Sequence, residues 1–504
     1  MSELIPGLPA PPPPAEPRVA SAVILWREGP RGREVYWVRR GALRFAGGFY
    51  AFPGGRLEDE DSRVPVPGLD GQRAALATCA AREIFEETGV LLTAGAPPPH
   101  EARVAGRRAL LDGALDFATF LRRHGLTVDS GRLLPAGRWI TPPHAPIRYD
   151  ASVFLTHLPA GEEPEVWTGE LTEGEWIAAA DAVERWSRGE VLLHPPNLWP
   201  MQCLARSGPP ACLDLLRSPP AVEGFISRRV EFQRGIFLAA LRTPTLPPAT
   251  HTGCWLLDLG GGALAVVDPG SPWPEEQARL EQVLADLAEE GLEPREIWLT
   301  HHHADHVGGV AALCARHALV VRAHAETFAR LGSSAQSRPR HQPLSDGEIL
   351  HARWRAVHTP GHTRGHVAFV HEHTGALLAG DMVSTLSTIV IDPRDGGDMA
   401  EYLRSLARLR DLGPRTLFPA HGAPTQGAVD KLEEYLAHRR AREAMVVEAL
   451  STPGTLDEVT ARAYQDTPPF MLPVAARSCL ASLEKLARER RATFDGERWS
   501  LGVG

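Results

Sequence analysis

A cluster of metal-ligating side chains follows a predicted strand in the second half of the chain. The segment Thr300-His301-His302-His303-Ala304-Asp305-His306 comes directly after Arg295-Glu296-Ile297-Trp298-Leu299, an apolar run typical of a short buried strand. A strand that runs into His-x-His-x-Asp-His presents several imidazoles and a carboxylate from one loop. Neutral imidazoles are preferred zinc ligands, and a carboxylate among them adds negative charge for a second cation. The spacing therefore predicts a metal site at the end of this strand.

Three further motifs have the same form, a short apolar run that ends in a His or an Asp beside Gly or Pro. They are His358-Thr359-Pro360-Gly361-His362-Thr363-Arg364-Gly365-His366, Leu378-Ala379-Gly380-Asp381 and Phe418-Pro419-Ala420-His421-Gly422. Strand ends that feed tight loops are where sites are usually built. In this order, from about Arg242 to Pro424, the four motifs resemble the metallo-β-lactamase superfamily.

This resemblance implies an αβ/βα sandwich with a site for two zinc ions. Carried over position by position, it implies one zinc ion on His301, His303 and His362, the other on Asp305, His306 and His421, and Asp381 as the bridge. Paired metal ions activate a water and clamp the oxygens of the attacked group. Within the resembling motif, Asp305 is also expected to be catalytic. Supporting or core positions are expected for the remaining histidines, His302, His358 and His366.

A second group of chemically active residues lies on a predicted helix in the first half of the chain. The alanine-rich stretch that begins at Ala74 ends in a glycine, which predicts a helix with a glycine stop. Glu83, Glu86 and Glu87 are spaced i, i+3, i+4 and share one face of it. Arg82 can pair with one carboxylate, and the remaining negative charge favours Mg²⁺ or Mn²⁺. A solvated acidic face is the alternative reading of the spacing.

Together with Phe52-Pro53-Gly54-Gly55, the segment Arg82-Glu83-Ile84-Phe85-Glu86-Glu87-Thr88-Gly89-Val90 resembles the Nudix box. The resemblance implies an α/β/α sandwich that cleaves nucleoside-diphosphate-X compounds. It implies Mg²⁺ or Mn²⁺ on Glu83, Glu86 and Glu87, with Glu86, Glu87 and Arg82 as catalytic residues. The sequence departs from the box by an insertion before Arg82, so Asp61, Glu60 and Glu58 are alternative first acidic ligands.

Residues upstream of this box partly match the coenzyme A diphosphatase signature. They include Arg39, Arg44 and Gly48, although Arg40 stands where a Ser or Ala is usual. Arg39 and Arg44 are expected to bind a substrate phosphate. An exposed basic strand edge is the alternative for these two arginines.

From Gln426 onward the sequence predicts helices over 429–449, 455–464 and 474–488, then a hairpin around Asp495-Gly496. Three helices and a hairpin look like a winged helix. With the preceding domain and the segment Tyr435-Leu436-Ala437-His438-Arg439, this region resembles the lactamase-like protein 2 group, whose animal members are single-strand-selective endoribonucleases. Acids and bases nearly cancel here, so a packing or dimerisation module is as good an expectation as a nucleic-acid clamp.

The composition limits the classes of protein to consider. A chain of 504 residues is too long for one ordinary core, and its net charge of −9 argues against a broadly basic nucleic-acid binder. The six cysteines lack CxxC spacing and fit buried thiols of a reducing compartment. No apolar run reaches membrane-spanning length and no basic-then-apolar signal begins the chain, so we expect a cytoplasmic protein without membrane partners.

We therefore predict a multidomain α/β and α+β chain. Its predicted parts are a Pro-rich arm (1–17), a Nudix domain with insertions (18–228), a metallo-β-lactamase-fold domain (229–425) and a winged-helix-like domain (426–504). Within them, 101–124 carries a helical apolar spacing and 232–241 predicts one strand. The expected partners are a nucleotide or coenzyme A derivative, single-stranded RNA and a second copy of the chain. No membrane partner is expected.

The expected function is a bifunctional metal-dependent hydrolase. Its zinc domain would cleave phosphodiesters, and its Nudix domain would cleave a diphosphate of a nucleotide or coenzyme A derivative. The alternative is a thioesterase of glyoxalase-II type, with the Nudix half a degenerate binding or sensor module.

Overall fold

The structure, a computed structural model, describes residues 13–41, 47–167, 171–220, 222–331 and 340–502. These residues form two compact units that divide between Arg234 and Gly235. Residues 1–12 of the predicted Pro-rich arm and the predicted phosphate-binding Arg44 lie outside the described residues. The four domain boundaries expected from the sequence stay predictions.

The first unit is built around one sheet of mixed pairing. Strand Arg18–Gly29 forms a hairpin with Gly32–Arg40 and pairs in parallel with Tyr149–His157. From one edge, the strand order is Val222–Glu223, Ile226–Ser227, Leu134–Ile140, Tyr149–His157, Arg18–Gly29, Gly32–Arg40 and Tyr50–Ala51. Two further strands extend it, because Gly54–Arg56 pairs with Arg18–Gly29 and Leu171–Ala178 pairs with Gly32–Arg40.

Alternation along the first strand assigns its side chains to two separate cores. Successive side chains of a strand point to opposite faces of the sheet. Val23 and Leu25 pack against Ile84 of helix Gly71–Thr88, whereas Ile24 lies in the core on the opposite face. The helix that carries the three predicted metal-binding glutamates therefore covers one face of this sheet.

The remaining elements of the first unit connect these layers. The helices are Gly71–Thr88, His100–Leu111, Phe117–His124, Ala179–Ser187, Pro195–Ser207 and Leu213–Leu216, with 3₁₀ turns at Asp61–Arg63 and Ser130–Arg132. Thr93–Ala94 pairs with Thr127–Val128, and strand Val230–Gln233 comes last.

The second unit contains two sheets packed face to face. The rings of Trp298 and Phe369, one from each sheet, have centroids 5.1 Å apart, and those of Trp255 and Phe418 are 5.2 Å apart. One sheet holds Ile236–Arg242, His251–Asp258, Ala263–Val267, Glu293–Trp298, Val320–His324 and Arg340–Leu344; the other holds Trp354–His358, Val367–His371, Ala376–Gly380, Thr416–Pro419 and Thr425–Gln426.

Helices cover the outer face of each sheet. Leu284 of helix Pro274–Ala288 packs in the core of the first sheet, and Leu406 of helix Met399–Asp411 packs in the core of the second. Shorter helical segments are Ala304–Val307, Val310–Arg316, Ala325–Arg330, His351–Arg353 and Pro393–Asp395. The predicted αβ/βα sandwich is confirmed.

The chain ends in a small helical module with its own core. Helices Ala428–Ala449, Leu456–Ala463 and Leu472–Arg488 are joined by the turn Pro469–Met471 and followed by a hairpin of Ala492–Phe494 and Trp499–Leu501. Thr455 and Glu458 form a capping box at the start of the second helix. Val446, Leu483 and Trp499 bring the first helix, the third helix and the hairpin into one core, and the predicted winged-helix arrangement is confirmed.

The helical spacing over 101–124 belongs to two helices, because Asp116 caps the second one by accepting from the Thr119 backbone N–H. The prediction of one strand over 232–241 was wrong for a local reason. Gly235 adopts φ of +76°, and 232–241 contains parts of two strands rather than one. Short polar or glycine interruptions inside an apolar pattern were therefore stronger signals than the pattern itself.

Within the described residues, no helix is both long enough and apolar enough to cross a membrane. All six cysteines are free, as their spacing predicted. The cytoplasmic location stays a prediction.

The turn after strand Ala263–Val267 lies directly against the loop of residues 300–309, hereafter the histidine loop. The Gly309 N–H donates to the Pro269 carbonyl at 2.7 Å. A Cβ added to Gly270 would lie 1.8 Å from the backbone oxygen of Asp305. Glycine at position 270 thus allows the two backbones to approach each other closely.

We expect Gly270→Ala to lower the free energy of unfolding by about 3 kcal/mol, the upper end of overpacking costs. Backbone, rather than a flexible side chain, would have to move to admit the methyl group. Urea unfolding of the full chain measures the effect. A midpoint equal to that of the wild type would contradict this packing.

Candidate metal centre

The histidine loop begins where the buried strand Glu293–Trp298 ends. His301 and His306 are fully buried, and His306 lies on the one-turn helix Ala304–Val307. The other three predicted ligands that follow strands, His362, Asp381 and His421, are each less than a tenth exposed. Strand ends of both sheets therefore bring the predicted ligands to one edge of the sandwich.

Three of the predicted ligands form a first donor group. The Nε2 atom of His301 lies 2.9 Å from Nδ1 of His303, and Nε2 of His362 lies 3.0 Å from the same atom. The carboxylate of Asp381 approaches this group, with Oδ2 3.5 Å from His362 Nε2. Three imidazole nitrogens and one carboxylate oxygen thus converge on one point.

The other predicted ligands form a second donor group. Asp305 Oδ2 lies 3.8 Å from Nε2 of His306 and 3.5 Å from Nε2 of His421. Asp381 reaches this group with its other oxygen, since Oδ1 lies 3.5 Å from His306 Nε2 and 3.3 Å from His421 Nε2. Asp381 therefore faces both groups with one carboxylate oxygen each.

The donor atoms fit bound divalent cations. His306 Nε2 and Asp381 Oδ1 are buried, and neither has a partner in hydrogen-bond geometry among the described residues. Buried polar atoms are normally satisfied, so such a pair facing one point calls for a further partner. Imidazole with carboxylate is a donor set that suits zinc and related first-row metals.

The second nitrogen of four ligand imidazoles is held by an acceptor. His306 Nδ1 lies 2.9 Å from Asp268 Oδ2, and His303 Nε2 lies 2.6 Å from Asp395 Oδ2. Backbone carbonyls accept from the other two, with His362 Nδ1 2.9 Å from Val390 O and His421 Nδ1 3.1 Å from His251 O. Such outer partners fix the ring orientation and the tautomer of a metal ligand.

Sequence reasoning missed the two acidic members of this outer set. Asp268 follows strand Ala263–Val267 in the run Val-Val-Asp-Pro-Gly, the same strand-end pattern that marked the ligands themselves. That pattern was the available signal. Asp395 lies in a 3₁₀ turn far from any ligand in sequence, and it gave no local signal.

The two donor groups differ in their electrostatics. Burial and the neighbouring imidazoles hold the pKa of His301 well below its usual range and lower the pKa of His362 to about 4. Burial also disfavours the protonated forms of His306 and His421, but nearby carboxylates, chiefly Asp381, outweigh it and raise the pKa of both. His301 and His362 of the first group are therefore held neutral, the form that binds a metal ion.

The three remaining histidines of the motifs take other positions. His366 is buried, with Nδ1 2.8 Å from Thr359 Oγ1 and Nε2 accepting from the Asp381 backbone N–H. His302 Nε2 lies 3.5 Å from Asp395 Oδ1, and the His358 ring donates to the Arg364 carbonyl at 2.8 Å. These contacts fit supporting roles.

In the first unit, Arg82 is the centre of the predicted magnesium site. Its Nε and Nη2 donate to the two oxygens of Asp61 at 2.9 and 3.0 Å, and its Nη1 donates to Glu83 at 2.9 Å and to Glu86 at 3.1 Å. Glu87 instead accepts from the Gly54 backbone N–H at 2.9 Å. Among the described residues, these carboxylates do not bring three ligand atoms within 4.8 Å of one another.

The structure separates the three candidates for the first acidic ligand. Asp61 is buried as the bidentate partner of Arg82, while Glu58 is 41% exposed and lies 3.4 Å from Arg56. Glu60 is exposed. Because both oxygens of Asp61 accept hydrogen bonds from Arg82, a cation would bind a carboxylate oxygen of another residue.

Two further features of the first unit bear on the predicted Nudix residues. Burial, partly offset by Arg82, raises the pKa of Glu83 and raises that of Glu86 to about 7. Arg39, a predicted phosphate-binding residue, is paired with Glu173 at 3.3 Å. Arg44 lies outside the described residues.

Residues 248–421 match the family model of the metallo-β-lactamase superfamily, and residues 455–499 match that of the β-lactamase-associated winged helix domain. Lactamase-like protein nscB of Trichophyton rubrum is 32% identical over 236 residues, which cover 43% of this chain and 69% of that protein. The chain belongs to the metallo-β-lactamase superfamily.

Other similar proteins cover different shares of the chain. The β-lactamase-like protein 2 homolog of Drosophila melanogaster is 28% identical over 49% of this chain and 85% of its own length. A crystal structure of a NUDIX hydrolase from Alicyclobacillus acidocaldarius is 29% identical, covers 41% of this chain and 99% of its own, and has a TM-score of 0.35.

Metallo-β-lactamase-fold proteins are generally hydrolases, and the fold implies a divalent metal ion, commonly zinc. The chain is thus a metallo-β-lactamase-fold hydrolase with a candidate metal-binding cluster of His and Asp residues.

We expect Asp268→Asn to weaken divalent-metal binding at the group of Asp305, His306 and His421 by about 10- to 100-fold, the usual effect of losing an outer carboxylate. Competition with a chromophoric chelator measures the affinity. Asp258→Asn is the matched control, because Asp258 accepts from Gly260 in a turn outside both donor groups. Equal affinities in the two variants would contradict the assigned role of Asp268.

Proposed function

We propose that the second unit hydrolyses phosphodiester bonds of single-stranded RNA with two divalent metal ions, preferably zinc. The observation that carries this proposal is the position of Asp381, whose two oxygens face two separate donor groups. A site for paired metal ions suits in-line displacement at phosphorus, because both the attacking and the leaving oxygens need stabilisation. His301, His303 and His362 would hold one ion and Asp305, His306 and His421 the other, with Asp381 between them.

When bound, the metal ions would lower the pKa of the attacking water and stabilise charge on the attacked group. Asp305 would accept the water proton at Oδ1, because Oδ2, which lies 3.5 Å from His421 Nε2, is the oxygen that would bind the metal. The water oxygen forms a bond to phosphorus as the bond to the leaving oxygen breaks, and Asp305 would return the proton to that oxygen. Asp268 and Asp395 would keep the imidazoles of His306 and His303 in place.

Two exposed arginines near the first donor group favour an anionic substrate. Arg364 is two residues from His362, and its Cγ lies 3.4 Å from the position of a Cβ on Gly396, next to Asp395. Arg364 and Arg394 are exposed, and neither has an ion pair within the part of the chain that the structure describes. Arginine suits phosphate oxygens through its planar set of donors.

The basic residues of the winged-helix module are less available for contacts with a nucleic acid. Seven of them are ion-paired among the described residues: Lys431 with Glu434, Arg442 with Asp466, Arg477 with Asp392, Lys485 with Glu443, Arg488 with Asp398, Arg491 with Glu443, and Arg498 with Glu458. An RNA strand would have to compete with those acids for the same cations. We therefore place RNA contacts at the loops of the metal centre.

Purified full-length protein with Zn²⁺ should cleave an end-labelled single-stranded RNA, and Asp305→Ala should reduce the rate at least about a hundredfold through loss of a ligand and proton acceptor. Asp411→Ala is the control, since Asp411 is exposed and pairs only with its neighbour Arg410 among the described residues. Metal-loaded wild-type protein that leaves RNA intact would contradict the proposal. Cleavage of coenzyme A thioesters in its place would favour the glyoxalase-II-type alternative.

We propose, second, that the first unit is a Nudix-type diphosphatase that acts on a nucleotide or coenzyme A derivative with Mg²⁺ or Mn²⁺. The observation in favour is the buried Arg82, which joins Asp61, Glu83 and Glu86 into one charged group beside Gly54 and Gly55. A Cβ on Gly55 would lie 2.5 Å from the carboxylate of Glu83, so glycine leaves that carboxylate room. A diphosphate-bound cation would use the carboxylate oxygens that Arg82 does not occupy.

With Mg²⁺, the protein should hydrolyse coenzyme A or a nucleoside-diphosphate derivative, and the double change Glu86→Gln and Glu87→Gln should lower the rate at least about a hundredfold. Glu101→Gln, at an exposed position on helix His100–Leu111, is the control. A rate that the double change leaves intact would contradict catalysis by these glutamates. Binding of such a compound without turnover would favour a degenerate binding or sensor module.

A further inference from the structure

The segment Tyr435 to Arg439, which is part of the family resemblance found in the sequence, contacts the part of the chain that supports the metal ligands. We propose that the C-terminal helices act as a positioning element of the metal centre, through hydrogen bonds from Arg439 and to Ser478 that hold the peptides on either side of Val390. This inference rests on the proposed two-metal site and is independent of the substrate.

The segment of residues 382–398 connects the second sheet to helix Met399–Asp411 and contacts the first donor group. Val390 accepts from His362 Nδ1 at 2.9 Å, and Asp395 accepts from His303 Nε2 at 2.6 Å. Both of those histidines belong to the first donor group. The position of the 382–398 segment therefore determines the orientation of two of its three imidazoles.

Two side chains of the C-terminal helices bracket Val390. Ser478, on helix Leu472–Arg488, accepts from the Ile391 N–H at 3.0 Å. Arg439, on helix Ala428–Ala449, donates from Nη2 to the Ile389 carbonyl. Both side chains are buried, and buried hydrogen bonds to backbone are costly to lose because the freed group stays unsatisfied.

Ion pairs and a tyrosine extend this support along the same segment. Arg477 lies 3.4 Å from Asp392, and Arg488 lies 2.5 Å from Asp398. Near the start of the segment, the Tyr435 hydroxyl accepts from the Ser384 N–H at 2.8 Å, and Ser384 Oγ donates to the His421 carbonyl at 3.1 Å. Two arginines and a tyrosine of the C-terminal helices thus hold this segment.

A nucleic-acid surface is the competing role for the same helices, and the pairing of their cations disfavours it. Counterion-releasing contacts to phosphate require basic side chains that are available to the strand. Arg488, part of the tightest basic run in this module, instead binds the cap residue of helix Met399–Asp411. Support of the metal centre accounts for that contact directly.

The test uses full-length protein loaded with two equivalents of ¹¹³Cd²⁺ and observed by ¹¹³Cd NMR during a chelator titration. Two resonances are expected, and Asp305→Ala, which removes a ligand of the second group, identifies which resonance belongs to that group. In Ser478→Ala, the three-histidine group should bind cadmium more weakly, with an affinity reduced by up to about tenfold, which is the lower end of the effect of outer partners. The second resonance should keep its wild-type affinity.

Ser482→Ala is the matched control. Ser482 lies one turn further along the same helix, is equally buried, and donates only to the Ser478 carbonyl among the described residues. Equal affinities in Ser478→Ala and Ser482→Ala, or equal weakening at both groups, would overturn the positioning role. Wild-type protein that binds two cadmium ions but does not cleave RNA would contradict the proposed function and leave this inference intact.

Discussion

A single buried carboxylate sets the main physical constraint on the second unit. Asp381 is 7% exposed and lies within 3.5 Å of imidazole nitrogens from two directions. A buried charge is expensive unless it is paired or binds a metal ion. Burial alone would raise the pKa of this carboxyl, but His421 and His306 hold the pKa of Asp381 well below its usual range. The charged form is therefore retained, with His306 and His421 as its stabilising partners on one side and the neutral His362 on the other.

The fold meets this constraint by bringing ligands from distant parts of the chain to one edge of the sandwich. Each ligand segment follows a strand, so the backbone before it is fixed by a sheet and the side chain after it lies in a tight loop. Outer acceptors then fix the rings: Asp268 comes from the first sheet, whereas Val390 and Asp395 come from the segment that precedes helix Met399–Asp411. The C-terminal helices hold that segment from outside, which links the winged-helix module to the chemistry of the centre.

The resemblance to the metallo-β-lactamase superfamily predicted the seven residues that the structure brings together at the centre, and each of them lies in a short motif after an apolar run. Asp395 could not be found in this way, since its contact with His303 spans 92 positions and depends on the packing of both sheets. In the first unit, alanine content and a glycine stop predicted helix Gly71–Thr88 well. The choice among Asp61, Glu60 and Glu58 depended on the inserted loop, whose path only the three-dimensional structure provides.

Crystals of the zinc-loaded protein, measured at energies above and below the zinc absorption edge, would show whether Asp381 lies between two divalent metal ions. We expect two anomalous peaks per chain in the second unit, one at the group of His301, His303 and His362 and one at the group of Asp305, His306 and His421. A single peak, or peaks at neither group, would contradict this arrangement.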